Sequence, residues 1–158
     1  MVDILTIMVV GGLLIYALKR AGVGGPSVEI TQAKGQEFLD QNAKKDGVEV
    51  LESGLQILRL QGTGEGQRPL ATDQVRVHYE GTLIDGSVFD SSVKRGQPID
   101  FGLNQVISGW TEGLQLMAVG DKARLFLPSN LAYGDRRAGT IPGGSVLIFD
   151  VELIAVNP

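Results

Sequence analysis

Few conventional catalytic sets can be assembled from the side chains of this sequence. The chain has no cysteine and a single histidine, His78. Thiolate chemistry and cysteine-ligated metals are therefore excluded, and a Ser-His-Asp triad would need this one imidazole. Residues 75–83 alternate with the period of a strand, which puts the valines and Tyr79 on one face and His78 on the other. We expect His78 to face away from any site that Tyr79 lines, and we predict no metal site.

The remaining candidates are aromatic side chains that could line an apolar pocket. The chain has one tryptophan, three tyrosines and five phenylalanines. A tryptophan near the start of a predicted helix and a tyrosine in a long loop rich in glycine favour an apolar cavity; the alternative is that the rings only fill the core. Asp90 and Arg95 form either a charged pair at the edge of such a cavity or an ordinary surface pair. The rings concerned are Tyr79, Phe89, Phe101, Trp110, Tyr133 and Phe149.

The elements that must position these side chains are mostly short strands. The pair Asp85-Gly86 predicts a hairpin turn, and a helix is predicted from Ser108, as its N-cap, through Met117 to a stop at Gly120. Several short strands and a single helix indicate an α+β fold in which an antiparallel sheet wraps on that helix. Strands are predicted at residues 55–61, 75–83, 88–92, 98–101, 122–128 and 146–156.

Length and charge limit the possible functions. The chain has 158 residues and a net charge of −4, which allows one domain of ordinary size and gives no cationic excess for binding a phosphate backbone. We therefore expect no nucleic-acid partner. Residues 21–54 are predicted to be a linker and a short helix over 31–45, with Thr31 as its cap. That helix is either a strut packed on the domain or a self-association helix.

The first part of the chain differs from the rest in being strongly apolar. Residues 4–18 carry no charge and would span about 22 Å as a helix, somewhat less than the ~30 Å hydrocarbon core of a bilayer. We interpret residues 1–20 as a single-pass membrane anchor; a cleaved signal peptide and a buried core helix are the alternatives. Lys19 and Arg20 follow the apolar run, so the positive-inside rule places the domain in the cytoplasm, with the periplasm as the close alternative.

Several short motifs follow one another between residues 55 and 156. They are Val77-His78-Tyr79-x-Gly81-x-Leu83, Asp85-Gly86-x-x-Phe89-Asp90-Ser91-Ser92, Val106-Ile107-x-Gly109-Trp110, Ala132-Tyr133-Gly134, Ile141-Pro142 and Phe149-Asp150-Val151-Glu152-Leu153. In this order and spacing they resemble the FKBP-type peptidyl-prolyl cis-trans isomerases. Residues 38–47 and 53–56 resemble the lead-in of the bacterial subgroup that includes the macrophage infectivity potentiator proteins.

The resemblance implies both a fold and an activity. The fold is an FKBP-like, half-wrapped antiparallel sheet around one short helix, with the isomerase domain at residues 55–158 and the apolar segment as a preceding helix. The activity is rotation about X-Pro bonds, without a cofactor or metal. Proline-containing polypeptides are the implied substrates, macrolides such as rapamycin are further candidate ligands, and the anchor would lie in a bacterial inner membrane.

The resemblance also assigns apolar roles within the pocket. Trp110 is implied as the floor beneath the substrate proline ring. A dry pocket of this kind weakens the preference of water for the planar, charge-separated amide, so binding itself would lower the barrier to rotation. The other implied apolar residues are Tyr79, Phe89, Ile99, Phe101, Val106, Ile107, Ile141 and Phe149.

Polar roles follow from the same resemblance. The Tyr133 hydroxyl and the backbone N–H of Ile107 are implied to bind substrate carbonyl groups. Asp90, with Arg95 and the Tyr79 hydroxyl, is implied to form the polar edge of the pocket near the twisting amide. Ile99 stands where the family often has an aromatic residue, which we expect to tune affinity more than to abolish turnover. The rival hypotheses are a non-catalytic module or chaperone that binds proline-containing partners, and a subunit of a membrane complex.

Overall fold

A computed structural model describes residues 27–158, so the predicted anchor at residues 4–18 lies outside the described residues. No helix within 27–158 is both long enough and apolar enough to cross a membrane. The helices are α1 (Val28–Asn42), α2 (Ser92–Arg95) and α3 (Ser108–Leu114), with short 3₁₀ turns at Leu103–Gln105 and Ser129–Leu131. The strands are β1 (Val48–Val50), β2 (Gln56–Gln61), β3 (Gln74–Thr82), β4 (Val88–Ser91), β5 (Ile99–Gly102), β6 (Lys122–Leu127) and β7 (Leu147–Val156).

The strands form one antiparallel sheet in the order β1-β2-β6-β7-β3-β4, with β5 also paired to β3. Strand β3 is the central element, because β7 runs along one edge of it while β4 and β5 share the other. Its alternation is as predicted: Val75, Val77 and Tyr79 are buried, and His78 points to the other face and is half-buried. The predicted α+β fold is confirmed.

Helix α3 packs closely on one face of the sheet, and two glycines allow this. A Cβ on Gly109 would lie 2.4 Å from Cδ2 of Leu127, and a Cβ on Gly113 would lie 2.7 Å from Cδ1 of Leu125. Any larger residue would therefore push the helix away from β6. The close approach buries Trp110 in the main core, together with the inward-facing side chains of β3, β6 and β7.

Helix α1 lies on the opposite face of the sheet. Leu39 of α1 packs with Phe126 and Val146, and Phe126 alternates with the core residues of β6. The Asn42 Nδ2 amide donates to Oε1 of Gln56 at 2.7 Å, and Gln56 Nε2 donates to the Leu39 carbonyl at 3.0 Å. Both of these amide side chains are buried. The sequence leaves two alternatives for this helix, a strut packed on the domain and a self-association helix. The contacts described here are those of a strut.

The helix boundaries correct several sequence-based expectations. Helix α1 begins at Val28 rather than Thr31, because the Ser27 hydroxyl accepts a hydrogen bond from the Ile30 N–H at 3.3 Å and caps it. Ser108 is the first residue of α3 and not its cap; Ile107 occupies the cap position without a side-chain bond. The helix ends at Leu114, before the predicted Met117. Helix α2 and strand β1 were not expected at all.

Candidate functional site

Four aromatic rings meet where β3, β5, β7 and α3 converge. The Trp110 ring centroid lies 5.1 Å from that of Tyr79, 5.3 Å from Phe101 and 5.0 Å from Phe149. The contacts with Tyr79 and Phe149 are edge-to-face, at 81° and 89°, which is a favoured geometry for aromatic pairs. Each of the four side chains is at most 5% exposed. We call these four residues the aromatic cluster.

Phe89 extends the aromatic cluster toward solvent. It is half-buried, and its ring centroid lies 5.5 Å from that of Phe149 at 86°. Gly81 makes this contact possible, because a Cβ at that position would lie 2.6 Å from Cζ of Phe89 and 2.8 Å from Cε1 of Phe149. The sequence-based prediction did not recognise this role, although Gly81 belongs to the motif that carried the resemblance.

The remaining predicted apolar residues differ in their exposure. Ile99 and Ile141 are buried, at 8% and 2% exposed, and belong to the main core. Val106, Ile107 and Tyr133 are half-buried and pack against the same core. The aromatic cluster therefore has a partly open border made of these three residues and Phe89.

The Trp110 indole N–H has no protein partner. Its Nε1 atom is buried and lacks a hydrogen-bond partner, alone among the side-chain N and O atoms of residues 27–158. A buried donor left unsatisfied costs roughly 1–3 kcal/mol, so such groups are rare and call for an explanation. The indole ring is surrounded by the rings of Tyr79, Phe101 and Phe149, and ring carbon atoms are not conventional hydrogen-bond acceptors.

Asp90, Arg95 and Tyr79 form a polar triad at the edge of the cluster. The Tyr79 hydroxyl donates to Oδ2 of Asp90, and Arg95 Nη1 donates to Oδ1 of the same carboxylate at 2.5 Å. Arg95 Nη2 also donates to the Tyr79 hydroxyl oxygen at 3.1 Å. The Arg95 guanidinium carbon lies 5.8 Å from the Tyr79 ring centroid. The predicted Asp90–Arg95 pair is thus formed, and it contacts an aromatic residue of the site.

The two tyrosine hydroxyls of the site stay protonated at neutral pH. Burial, and next the hydrogen bond to Asp90, raise the pKa of Tyr79 above its ordinary value. Burial, and to a lesser extent the Asp90 carboxylate, likewise raise the pKa of Tyr133. Both hydroxyls are therefore neutral groups that can donate a hydrogen bond.

Ser92 holds Tyr79 in place at a gap in the sheet. Between the parts of β3 that pair with β5 and with β4, residues 78 and 79 have no strand partner on that edge. The Ser92 hydroxyl accepts from the Tyr79 N–H at 2.7 Å and donates to the Tyr79 carbonyl at 3.2 Å. It also lies 2.8 Å from Nδ1 of His78. His78 thus has a structural contact on the face away from the aromatic cluster, as expected.

The site contains no arrangement typical of metal binding. Across the described part of the chain, no three histidine, aspartate or glutamate side chains come together as a metal-ligand group. The arrangement presents an apolar, aromatic surface with neutral hydroxyl donors and one paired carboxylate at its edge.

Comparison with known proteins gives consistent matches. A family model described as "FKBP-type peptidyl-prolyl cis-trans isomerase" matches residues 65–154, and one described as "Domain amino terminal to FKBP-type peptidyl-prolyl isomerase" matches residues 26–57. The chain is 57% identical over 143 residues to the FKBP-type peptidyl-prolyl cis-trans isomerase FkpA of Aeromonas hydrophila, covering 90% of this chain and 53% of that protein.

Two further relatives extend the comparison. The chain is 47% identical over 140 residues to the outer membrane protein MIP of Legionella longbeachae, covering 88% of this chain and 60% of that protein. The crystal structure of FkpA from Escherichia coli matches with a TM-score of 0.79 and 44% identity, covering 83% of this chain and 61% of that one. The chain therefore spans little more than half the length of these relatives.

Proposed function

The chain belongs to the FKBP-type peptidyl-prolyl cis-trans isomerases, and on that premise we propose that it catalyses rotation about X-Pro bonds in polypeptides and thereby assists their folding. The uncatalysed reaction crosses a barrier of ~18–20 kcal/mol and takes tens to hundreds of seconds, because amide resonance keeps the bond planar. The observation that carries the proposal is the buried aromatic cluster around Trp110 with its partly open border.

We propose that the proline ring packs on Trp110, within the border formed by Phe89, Val106, Ile107 and Tyr133. Water favours the planar, charge-separated amide, so an apolar surface removes part of that preference. A site that binds the twisted amide better than the planar one lowers the barrier without a covalent step.

The polar groups are proposed to fix the peptide on this surface. The neutral Tyr133 hydroxyl and the Ile107 N–H would donate to substrate carbonyl oxygens. Asp90, held by Arg95 and Tyr79, would place a single oriented carboxylate beside the twisting amide. Because the hydrogen bonds from Arg95 and Tyr79 to Asp90 are already formed in the protein, little reorganisation is needed when the substrate binds.

A non-catalytic binding module is the second candidate. An aromatic surface of this kind can hold a proline-containing segment without accelerating its isomerisation, and macrolides such as rapamycin would occupy the same surface in either case. The retained triad of Tyr79, Asp90 and Arg95 favours the enzyme, because a binding module needs no ordered carboxylate at the amide.

One experiment separates the two candidates. Affinity and cis–trans exchange rate are both measured by NMR on one Leu-Pro peptide, with the full chain at substoichiometric concentration. We expect exchange to rise at least about a hundredfold above the uncatalysed rate, which corresponds to a barrier lowered by about 2.7 kcal/mol. Saturable binding with an unchanged exchange rate would contradict the proposal and favour the binding module.

We also propose that residues 4–18 attach the domain to a membrane. The support comes from the sequence, and one relative is itself named an outer membrane protein.

The sequence leaves two alternatives for the compartment of the domain: the cytoplasm, favoured by Lys19 and Arg20, and the periplasm. Digestion of the domain by added protease in intact cells with a permeabilised outer membrane would place it in the periplasm. Protection until the inner membrane is opened would place it in the cytoplasm.

A further inference from the structure

The loop that carries Tyr133 is closed by contacts between its own ends. We call residues 133–144 the Tyr133 loop. The Gly144 N–H donates to the Gly134 carbonyl at 2.8 Å, and an antiparallel bridge joins Ala138 to Ile141. Because Gly134 directly follows Tyr133, a contact at the base of this loop bears on the position of Tyr133.

The first turns of helix α1 lie against this loop, and Gln32 is hydrogen-bonded to it. Gln32 Nε2 donates to Oδ1 of Asp135 at 2.5 Å. At the other end of the loop, Gly144 lies close to α1: a Cβ at this position would be 2.7 Å from Cγ of Gln32 and 3.0 Å from the Val28 carbonyl oxygen. Asp135 is two residues from Tyr133, so the helix touches the loop next to the proposed substrate contact.

The helix is itself firmly held on the sheet, so it can act as a fixed support. Its last turn is bound through the buried Asn42–Gln56 amide pair at 2.7 Å, and its middle packs through Leu39 on Phe126. Gly35 allows a close approach to Val146, whose Cγ2 lies 2.8 Å from the Cβ position of Gly35. From Gly35 onward α1 is therefore packed on the sheet, and Gln32 lies one turn before this packed part.

We propose that Gln32 is a positioning residue for the Tyr133 loop. It lies on a helix outside residues 65–154, the part matched by the isomerase family model. Its hydrogen bond to Asp135 would hold the loop so that the Tyr133 hydroxyl meets the substrate carbonyl. This inference rests on the proposed function, because the position of Tyr133 matters only if Tyr133 contacts the substrate.

The first test is the Gln32→Glu variant of the full chain, which places a carboxylate against Asp135. We expect kcat/KM for a Leu-Pro peptide to fall roughly threefold to tenfold, the size expected from losing an oriented hydrogen bond. The rise in KM should exceed the fall in kcat. Gln36→Glu is the matched control, since Gln36 bonds Asp40 within the helix at 2.9 Å, and it should leave kcat/KM unchanged.

Two double variants distinguish positioning from a general structural effect. Gln32→Glu with Asp135→Asn restores an amide–carboxylate pair with its partners exchanged, and kcat/KM should return to within about twofold of the original. In a Tyr133→Phe background, Gln32→Glu should have no further effect, because the group on which it acts is already absent.

The outcomes are distinct for the inference and for the proposed function. If the unchanged chain accelerates isomerisation but Gln32→Glu is equally active, or is not restored by Asp135→Asn, the role of Gln32 is overturned and the proposed function stands. An additive effect in the Tyr133→Phe background would also overturn it. If the unchanged chain does not accelerate isomerisation at all, the proposed function fails and the inference fails with it.

Discussion

At the scale of single residues, two Arg–Asp pairs with similar chemistry have different surroundings. Arg76 and Asp100 form a bidentate pair at 2.7 and 2.9 Å, with side chains 41% and 39% exposed. Asp90 is only 15% exposed and is bonded by both Arg95 and Tyr79. Exposed pairs contribute little to stability, whereas a carboxylate shielded from water and held by two donors has one fixed orientation. We therefore propose a role in the reaction for Asp90 and none for Asp100.

Asp90→Asn tests this assignment. Asparagine keeps the size of the side chain but removes its charge, so Arg95 loses its ionic partner and Tyr79 a strong acceptor. We expect kcat/KM for proline isomerisation to fall about tenfold, in line with the loss of a charge-assisted hydrogen bond. Asp100→Asn makes the same chemical change on the exposed pair and should leave kcat/KM unchanged. Equal activity in the two variants would remove Asp90 from the site.

At the scale of secondary structure, strand β3 builds the site. Its inward face supplies Tyr79, its pairing with β7 brings Phe149 alongside, and Ser92 of α2 fills the gap between β4 and β5. At the end of β3, Gly81 is the point at which Phe89 and Phe149 come together. The packing of the site thus depends on one strand position having no side chain.

Gly81→Ala tests the dependence on this strand position. The added methyl group would lie within 3 Å of both phenylalanine rings and force at least one of them to move. We expect the free energy of unfolding, measured with urea, to fall by roughly 1–3 kcal/mol, with a fall in kcat/KM. Gly102→Ala is the control, because the atoms nearest to a Cβ at Gly102 belong to the flexible Gln105 side chain. A Gly81→Ala protein with unchanged stability and activity would show that the rings are not tightly packed there.

These elements also show how far the sequence can be interpreted. Alternation predicts β3 and its buried face correctly, because nine residues give a clear period. Strand β1 and helix α2 have three and four residues, too few for any period to appear. Ser27 and Thr31 are equally plausible caps from local sequence, so the start of α1 cannot be decided without its packing.

The site shows the same division between local and distant contacts. Composition and the predicted elements point to the aromatic residues and to the Asp90–Arg95 pair, and the resemblance assigns their roles. The structure brings the Asp90–Arg95 pair against Tyr79 and packs the aromatic residues together. The contact of Ser92 with Tyr79 joins residues 13 apart, and that of Gln32 with Asp135 joins residues 103 apart. No local pattern encodes such contacts, because they arise only when the sheet has formed and α1 has docked.

At the scale of the whole molecule, the sheet separates two clusters with different roles. One face carries the main core with Trp110, which we propose as the catalytic surface. The opposite face carries a cluster of Leu39, Phe126 and Val146. Phe38 packs against this cluster, with its ring centroid 6.1 Å from that of Phe126. The second cluster holds helix α1 in place and has no proposed contact with substrate. Shortening an aromatic side chain should therefore lower activity strongly on the face that carries Trp110 and only weakly on the face that carries Phe126.

The most direct test of this account is the isomerisation rate of a Leu-Pro peptide with Trp110→Leu and Phe38→Leu variants of the full chain. We predict that Trp110→Leu, shown to be folded by far-UV circular dichroism, loses at least about a hundredfold in kcat/KM, equivalent to nearly 3 kcal/mol of transition-state binding. Phe38→Leu should stay within about threefold of the original. A folded Trp110→Leu protein with full activity would contradict the claim that this aromatic surface performs the catalysis.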